Sequence, residues 1–246
     1  MLYKREIASE VRPYHILIRA VERRRILAEE TDRFRFIFQM HAANIGSPAL
    51  NLYRKDVIKS ARALITGNEI PSKFIIVNHP SLVNILSFVL VGDHYHLCLI
   101  PNVKEGIPKY MQKLNGGFAK YFNLRHNRKG PLFESRYKIV PIQTNFQLDA
   151  IIRYINVINS LDVYQPKWRI NGLNDLKRAF RFLDEYQFSS FPDLFGKRNS
   201  KIIAPFEVLE KYLGKELIGD REGYIKFIQD YLSQKMAISL YPLFLE

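Results

Sequence analysis

Residues 89–101, VLVGDHYHLCLIP, consist of two apolar runs separated by Gly92-Asp93. Two runs rich in β-forming residues with a Gly-Asp pair between them are typical of a β-hairpin with a two-residue turn. Side chains alternate across a strand, so His94 and His96 lie on one face of the second strand and the residue between them lies on the other. The stretch therefore predicts an antiparallel strand pair that presents two imidazoles on one side.

Periodic segments on both sides of this hairpin extend it into a larger α+β unit. The predicted strands are 13–20, 73–91, 94–100 and 131–142, and the predicted helices are 32–45, 49–66, 107–123 and 147–163. This order is typical of a ferredoxin-like α/β sandwich, in which one antiparallel sheet carries helices on one face. From about residue 174 the chain is helical, which predicts a main domain over 1–173 and a helical C-terminal extension over 174–246.

The overall charge indicates the class of partner. The chain carries 37 Lys and Arg against 24 Asp and Glu, a formal net charge of +13. An excess of this size fits a polyanionic partner, with nucleic acid as the first expectation and an anionic membrane surface as the second. The longest apolar run, residues 88–91, is far shorter than the roughly 20 residues that span a bilayer. The single cysteine excludes an intrachain disulfide and fits a reducing compartment, so we expect a cytoplasmic, nucleoid-associated protein.

The histidine pair is a candidate metal site. Two imidazoles two residues apart on a strand converge above the sheet and provide two ligands for Mg²⁺, Mn²⁺ or Zn²⁺, with positions left open for a substrate oxygen. The alternative is structural, with His94 and His96 hydrogen-bonded in a half-buried sheet. The pair alone does not decide between the two.

A basic, aromatic segment follows the hairpin. Basic side chains bind phosphates, and interleaved aromatic rings can stack on unpaired bases. Alternatively, the rings belong to the core and the charges form a solvated face. Within this segment Gly116-Gly117 interrupts a helix, which indicates either a close backbone approach or two helical pieces. The predicted nucleic-acid-binding residues in this basic pattern are Lys113, Lys120, Arg125, Arg128, Lys129 and Arg136.

Tyr154 lies on the amphipathic helix predicted over 147–163. A tyrosine hydroxyl is a candidate nucleophile toward phosphorus where a metal ion polarises the phosphate. The alternative is an amphipathic tyrosine at the edge of a helix interface. Only its combination with the histidine pair and the basic segment gives Tyr154 a functional interpretation.

Together these stretches resemble a known family. HYHLCLIPN (94–102), the basic segment 109–138, RYINVINSLDVYQP (153–166) and EYQFSSF (185–191) resemble the single-tyrosine transposases of the His-hydrophobic-His (HUH) endonuclease superfamily, in particular the REP-associated tyrosine transposases. The resemblance covers about residues 13–195. It implies a ferredoxin-like catalytic domain that cuts and rejoins single-stranded DNA, often next to a hairpin, with Mg²⁺ or Mn²⁺.

The resemblance also implies roles for individual residues. His94 and His96 would be metal ligands. A DNA-contact or structural role is implied for the residues that match the family's basic segment, Asn123, Arg125, Gly130, Phe133 and Arg136. Tyr154 would attack the scissile phosphate, form a 5′-phosphotyrosine bond and release a free 3′-OH. In this family the tyrosine helix serves either its own chain's site or a partner's, so both a monomer and a homodimer are compatible with the sequence.

The third metal ligand departs from the family pattern. The family places Asn or Gln four residues after the tyrosine, but Ile158 occupies that position here and the nearest amide is Asn159. Five residues advance an α-helix by roughly 500°, about 140° from the starting face, so a straight helix cannot aim Tyr154 and Asn159 at one metal ion. A π-bulge between them would correct this. Otherwise Asn156, Asp93 or water completes the metal's shell.

Three functions remain open from the sequence. The first is a transposase and single-stranded DNA endonuclease with Tyr154 as nucleophile and His94, His96 and Asn159 as metal ligands. The second, favoured by the departure at Ile158, is a transposase-derived protein that binds DNA or RNA hairpins without cutting them. The third is a hydrolase that acts on small phosphoesters. This function is disfavoured because it does not explain the basic, aromatic segment.

Overall fold

The computed structural model describes residues 12–48, 55–77, 79–233 and 241–245. The strands are β1 (Tyr14–Arg19), β2 (Gly46–Pro48), β3 (Ile75–Val77), β4 (Val83–Leu90), β5 (His94–Pro101) and β6 (Lys138–Pro141). The first helices are α1 (Glu30–Ile45), α2 (Lys55–Ile65), α3 (Gly106–Arg125) and α4 (Asn145–Arg153), after which a π-helical segment (Tyr154–Ile158) leads into α5 (Asn159–Tyr164). The C-terminal helices are α6 (Trp168–Asn171), α7 (Leu176–Glu185), α8 (Phe191–Leu194), α9 (Phe206–Leu217), α10 (Arg221–Leu232) and α11 (Tyr241–Phe244).

The central sheet has four strands in the order β4-β5-β1-β6, all antiparallel to their neighbours. Helix α1 connects β1 to the β4–β5 hairpin, and α3 connects that hairpin to β6, so the chain follows the predicted ferredoxin-like order. The predicted fold class is therefore confirmed. None of the helices in the described part of the chain is long and apolar enough to cross a membrane. The division at residue 174 stays a prediction.

The hairpin has the predicted two-residue turn, Gly92-Asp93, flanked by Val91 and His94. Leu90 pairs with Tyr95, and the amide of Val91 donates to the carbonyl of His94 at 2.9 Å. The turn is fixed from outside, because the carbonyl of Asp93 accepts from the amide of Ala20 at 2.8 Å. The start of β5, where the first histidine lies, is thereby tied to the end of β1.

Helices α1 and α3 cover the sheet face opposite the two histidines. Tyr95 packs on Phe36 of α1 with ring centroids 4.6 Å apart, and its hydroxyl donates to Asn115 of α3. A β-carbon on Gly117 would lie 2.2 Å from the side-chain nitrogen of Gln39, so glycine allows α1 and α3 to approach closely. Helix α3 continues through both glycines, which decides for close approach and against two helical pieces.

The α4–π–α5 unit covers the histidine face, where the ring of Tyr154 contacts that of His96. The sequence predicted this helix on the same face of the sheet as the other helices.

The outer edge of β4 is paired by residues 188–190, part of the EYQFSSF stretch. The amide of Leu90 donates to the carbonyl of Phe188, and the amide of Ser190 donates to the carbonyl of Phe88, both at 2.9 Å. Such a segment protects a sheet edge from pairing with other chains.

Two predicted strands are shorter than the sequence indicated. Pro80 falls inside the run 73–91, and β3 pairs with β2 in a separate two-stranded sheet instead of extending β4. The run 131–142 forms a strand only at β6, because its first part crosses the end of β1. There Phe133 makes an isolated bridge with Ala20. Residues 49–54 of the second predicted helix lie outside the described residues.

Candidate active site

A cavity of about 300 Å³ opens on the histidine face of the sheet. The four residues that the sequence singled out as nucleophile and metal ligands all line it, although they come from two distant parts of the chain. Its lining residues are Arg19, Arg23, His94, His96, Tyr154, Asn159, Asp162, Arg169 and Leu245. The ring centroids of His94 and His96 are 5.2 Å apart, and those of His96 and Tyr154 are 5.8 Å apart. A single chain therefore assembles the whole constellation.

The π-helical segment is what brings Tyr154 and Asn159 to the same cavity. The backbone N–H of Asn159 donates to the carbonyl of Tyr154, an i→i+5 bond, and the Asn159 side-chain amide donates to the same carbonyl at 3.1 Å. The wider turn removes most of the angular offset that a straight helix would impose on residues five apart. Ile158 is fully buried in the core, so its position does not contribute a ligand.

Asn156 anchors the π segment to the sheet. Its Nδ2 donates to Ser87 Oγ of β4 and to the carbonyl of Ile152, both at 2.8 Å, and its Oδ1 accepts from Ser190 Oγ at 2.7 Å. All three side chains of this Asn156–Ser87–Ser190 cluster are fully buried. Asn156 is thus engaged on the β4 side and does not line the cavity, which removes it as the third ligand.

A chain of hydrogen bonds sets the tautomer of His96. His15 Nδ1 lies within hydrogen-bonding distance of the carbonyl of Leu243, which can only accept, so His15 Nε2 is the acceptor nitrogen. His15 Nε2 is 2.9 Å from His96 Nδ1, which must therefore carry the proton. Nε2 of His96 is left with the lone pair that a metal ion requires.

Burial keeps this imidazole pair neutral. Removal from water lowers the pKa of His15 to about 4, although its bond to the Leu243 carbonyl opposes the shift. Burial also lowers the pKa of His96 well below its usual value, and the neighbouring His15 adds to this. Neutral imidazole is the form that binds metals. His15 was missed in the sequence, since only the register of β1 against β5 places it beside His96.

Asp93 orients His94. Its Oδ1 accepts from His94 Nδ1 at 2.6 Å, so Nε2 would be the nitrogen that binds a metal ion. Although burial opposes the shift, this hydrogen bond, the charge of His94 and the charge of Arg19 together lower the pKa of Asp93. A carboxylate behind a histidine ligand is the usual arrangement in metal sites.

Arg169 and Asp162 support the tyrosine. Arg169 donates from Nε and Nη2 to the two carboxylate oxygens of Asp162 at 3.0 and 2.6 Å, and its guanidinium lies 5.7 Å from the ring centroid of Tyr154. Tyr154 is 1% exposed, and burial raises its pKa well above the usual range, while the charge and hydrogen bond of Arg169 oppose this. Arg169 is therefore placed to stabilise a phenolate. Neither residue was singled out in the sequence: Asp162 lies near the end of the helix predicted over 147–163, and Arg169 follows that helix.

The C-terminal helix α11 closes one side of the site. The ring of Phe244 stacks on that of Tyr154 with centroids 4.3 Å apart and an interplanar angle of 9°. Leu245, the next residue, lines the cavity with a left-handed backbone conformation. A substrate that approaches Tyr154 therefore meets this segment.

The predicted nucleic-acid-binding residues divide into two groups. Four make contacts within the chain. Lys113 Nζ donates to the carbonyl of Gly46 at 2.9 Å, and Arg125 pairs with Glu29 at 2.8 Å. Arg128 donates to the side chain of Asn123, and both side chains donate to the carbonyl of Gly130. The other three, Lys120, Lys129 and Arg136, are exposed and have no ion pair within the described residues. None of the seven lines the cavity.

Glu29, Asp32 and His126 form a second group with potential ligand atoms within 4.8 Å of one another. Its carboxylates already have partners. Asp32 accepts from the Tyr121 hydroxyl at 2.6 Å and lies 2.9 Å from His126 Nε2, and the guanidinium of Arg125 lies 3.4 Å from it. A cation among these groups would compete with a guanidinium, so we assign the group to the packing of α1 against α3.

The cavity's donor set fits a divalent cation. It offers two imidazole nitrogens with fixed tautomers and the amide oxygen of Asn159, whose contact with Arg169 Nη2 is long, at 3.4 Å. Three protein ligands leave positions open for water or a substrate oxygen. His94, His96 and Asn159 are the residues that would hold Mg²⁺ or Mn²⁺ here.

Comparison with known proteins gives the family. No curated protein sequence matches the chain. Among solved structures, the chain is similar to a REP-associated tyrosine transposase bound to a REP hairpin, with 13% sequence identity and a TM-score of 0.42, over 78% of this chain and 84% of that one. A family model described as IS200-like transposase matches residues 10–157, more than half of the chain, and this range includes the hairpin, both cavity histidines and Tyr154. The chain belongs to the family of IS200-like transposases.

Proposed function

We propose that this protein is a transposase that cuts and rejoins single-stranded DNA through a covalent bond between Tyr154 and a 5′-phosphate, with a divalent cation held by His94, His96 and Asn159. The observation that carries the proposal is the π-helical segment Tyr154–Ile158. It places a tyrosine and an amide five residues apart at one cavity with a histidine pair. π-Bulges inside α-helices occur frequently at functional sites.

The chemistry is a transesterification. The Tyr154 hydroxyl loses its proton and its oxygen forms a bond to phosphorus, while the bond from phosphorus to the 3′-oxygen breaks and that oxygen leaves as a 3′-OH after taking up a proton. Arg169 stabilises the negative charge on the attacking oxygen. Rejoining is the reverse reaction with a 3′-OH as nucleophile. The phosphotyrosine conserves the energy of the broken bond, so no nucleotide cofactor is required.

A divalent cation, when bound, supplies neutralisation of the phosphate's charge. The chain's own contribution is to fix the ligands in place beforehand. Asp93 orients His94, His15 orients His96, and the Asn156–Ser87–Ser190 cluster holds the helix that carries Asn159. Each metal-binding side chain therefore has a dedicated supporting contact.

The proposed partner is single-stranded or hairpin DNA. The net charge of +13 favours a polyanion, and the exposed Lys120, Lys129 and Arg136 provide phosphate contacts outside the cavity. Lys129 and Arg136 belong to the segment 129–136, which crosses the end of β1, because the amide of Glu134 donates to the carbonyl of Arg19 at 3.0 Å. DNA bound along this segment would lead toward the cavity. A homodimer and a nucleoid-associated location stay predictions.

The proposal is tested by trapping the covalent intermediate. The full chain is incubated with Mn²⁺ or Mg²⁺ and a 3′-labelled pool of oligonucleotides, each with a hairpin stem flanked by randomised single strands. We expect a labelled protein–DNA adduct that survives denaturing electrophoresis and disappears when EDTA is added first. The label is at the 3′ end because the fragment downstream of the cut stays on the tyrosine. Absence of an adduct with either metal across the pool would contradict the proposal.

A hairpin-binding protein that does not cut is the second candidate. The burial of Tyr154 beneath Phe244 and the raised pKa of its hydroxyl favour it. Under this function His94→Gln and Tyr154→Phe leave hairpin affinity unchanged and no adduct forms with any metal. Under the proposed transposase an adduct forms, so the same trapping experiment separates the two.

We expect Phe244→Ala to accelerate adduct formation. The substitution removes a stacking contact from the closed arrangement, in which Phe244 lies flat on Tyr154. An aromatic pair is worth about 0.5–1.5 kcal/mol, which corresponds to about a 2- to 12-fold increase in the accessible population. The initial rate of adduct formation measures this, with Phe146→Ala, an exposed phenylalanine on α4, as the matched control. A slower rate for Phe244→Ala would mean that α11 supports the tyrosine instead of covering it.

A further inference from the structure

Two arginines of the cavity have no role in the proposed reaction so far, apart from the charge that Arg19 exerts on Asp93. Arg19 is at the end of β1, directly opposite His94 in the strand pairing, and Arg23 follows in the turn after that strand. Both line the cavity. The third cavity arginine, Arg169, is already paired with Asp162 through two hydrogen bonds.

Arg19 retains unused hydrogen-bonding capacity. Its Nε is buried and has no hydrogen-bond partner among the described residues. The nearest carboxylate oxygen, Oδ2 of Asp93, is 3.8 Å away, which is an ionic contact but too long for a hydrogen bond. Asp93 uses its other oxygen on His94. A buried guanidinium nitrogen without an acceptor costs free energy unless a ligand supplies one.

Arg23 is held at the cavity by a strained turn. Glu22 and Arg23 have φ angles of 56° and 51°, in the left-handed region that residues with a β-carbon rarely adopt. The turn is fixed on both sides, because the amide of Val21 donates to the carbonyl of Leu132 at 3.0 Å and the amide of Leu27 to that of Gly92 at 2.9 Å. Strain of this kind persists where the surrounding structure imposes it, often at ligand sites. Arg23 is exposed and has no ion pair with any described residue.

We propose that Arg19 and Arg23 together bind the two non-bridging oxygens of the single DNA phosphodiester that Tyr154 attacks. The inference rests on the proposed function and assigns the residues that hold its substrate. A guanidinium matches a phosphate in geometry and charge, and it donates in pairs. The cavity, at about 300 Å³, is at the small end of ligand sites and takes one phosphate with its sugar rather than a length of strand. Within the cavity lining, the acidic groups near these arginines are already engaged, Asp162 by Arg169 and Asp93 by His94.

The neighbouring Arg24 provides a matched control. It lies on the same turn and is exposed, but it pairs with Glu22 at 3.8 Å and does not line the cavity. A general contribution of positive charge to DNA binding would affect Arg23 and Arg24 alike. A contact with one phosphate would distinguish them.

The test is a scan of phosphate charge that needs no cleavage. Tyr154→Phe serves as the background, and the probe is the hairpin oligonucleotide that this variant binds best in a pool. Each phosphate of the single-stranded flank is replaced in turn by a neutral methylphosphonate, and Kd is measured by fluorescence anisotropy at one salt concentration. Arg23→Gln, Arg19→Lys and Arg24→Gln are each added to the background. Arg19→Lys keeps the charge of β1 and removes only the paired donors, so folding is preserved.

We expect Arg23→Gln and Arg19→Lys each to weaken binding of the unmodified probe, Arg23→Gln by about 10- to 100-fold, the range for hydrogen bonds to a charged group. With a methylphosphonate at one particular position, each of these two substitutions should change Kd by less than about twofold. The effect of Arg24→Gln on Kd should be the same whichever phosphate is replaced. A scan without such a position, or the same coupling for Arg24→Gln, would overturn the inference. If the wild-type chain forms the adduct but no methylphosphonate position reduces the effect of Arg23→Gln and Arg19→Lys on Kd, the arginine site is rejected and the cleavage is not. A single coupled position without any adduct supports the arginine site and rejects the cleavage.

Discussion

Tyr154→Phe is expected to abolish the covalent protein–DNA adduct, with a loss of about 10⁴-fold or more, while the protein stays folded. The phenyl ring keeps the stacking contact with Phe244 and the edge contact with His96, so only the hydroxyl is removed. Without that oxygen there is no nucleophile, and removal of a nucleophile is among the largest single effects on a catalytic rate. Denaturing electrophoresis with the labelled oligonucleotide measures the adduct.

Tyr164→Phe is the matched control, because Tyr164 is a half-buried tyrosine on α5 whose ring packs on Phe182 and does not line the cavity. It should form the adduct at the wild-type rate. The free energy of unfolding of Tyr154→Phe should fall by only about 1 kcal/mol, the usual contribution of one hydrogen bond. An adduct that persists in Tyr154→Phe would place the nucleophile elsewhere.

His94→Gln is expected to lower the adduct yield by at least about 100-fold and to weaken Mn²⁺ binding. Removal of even an indirect contact to a metal ligand typically costs about 10- to 100-fold, and His94 would be a direct ligand. Its side chain is only 12% exposed, yet glutamine retains a polar group for Asp93, so the substitution leaves no uncompensated carboxylate. The EPR signal of free Mn²⁺ reports metal binding independently of DNA cleavage.

His79→Gln controls for a general effect of removing an imidazole. His79 contacts Lys113 at 2.7 Å and does not line the cavity. It should bind Mn²⁺ and form the adduct like the wild-type chain. Equal Mn²⁺ binding by His94→Gln and the wild type would contradict the assignment of the metal ligands.

Local patterns in the sequence were enough to predict the hairpin and the shared face of its two histidines, because strand alternation depends only on neighbours. Helix geometry showed that Tyr154 and Asn159 could meet only through a π-bulge. The sequence nevertheless left Asn156, Asp93 and water open as alternatives to Asn159. The position of the tyrosine helix on the histidine face did not follow. It depends on contacts such as Asn156 with Ser87, which are far apart in the chain.

The residues missed in the sequence share one property. The strand register places His15 at the site, and the path of the chain after α5 places Arg169 there. Neither the register nor this path can be read from a local sequence pattern. Conversely, charge predicted DNA binding by Lys113 and the family resemblance predicted it by Asn123, yet both side chains donate to carbonyls of the chain itself. Lysine and asparagine side chains serve both purposes equally well, so charge alone does not separate them.

The central claim, that Tyr154 is joined to DNA, is tested most directly by locating the adduct. After nuclease digestion of the DNA, trypsin should release the peptide that follows Arg153 and ends at Lys167, which contains Tyr154 and Tyr164. Fragment-ion mass spectrometry of this peptide then distinguishes the two tyrosines. We predict a nucleotide 5′-phosphate on Tyr154 and an unmodified Tyr164. A nucleotide on any other residue of the chain would contradict the account.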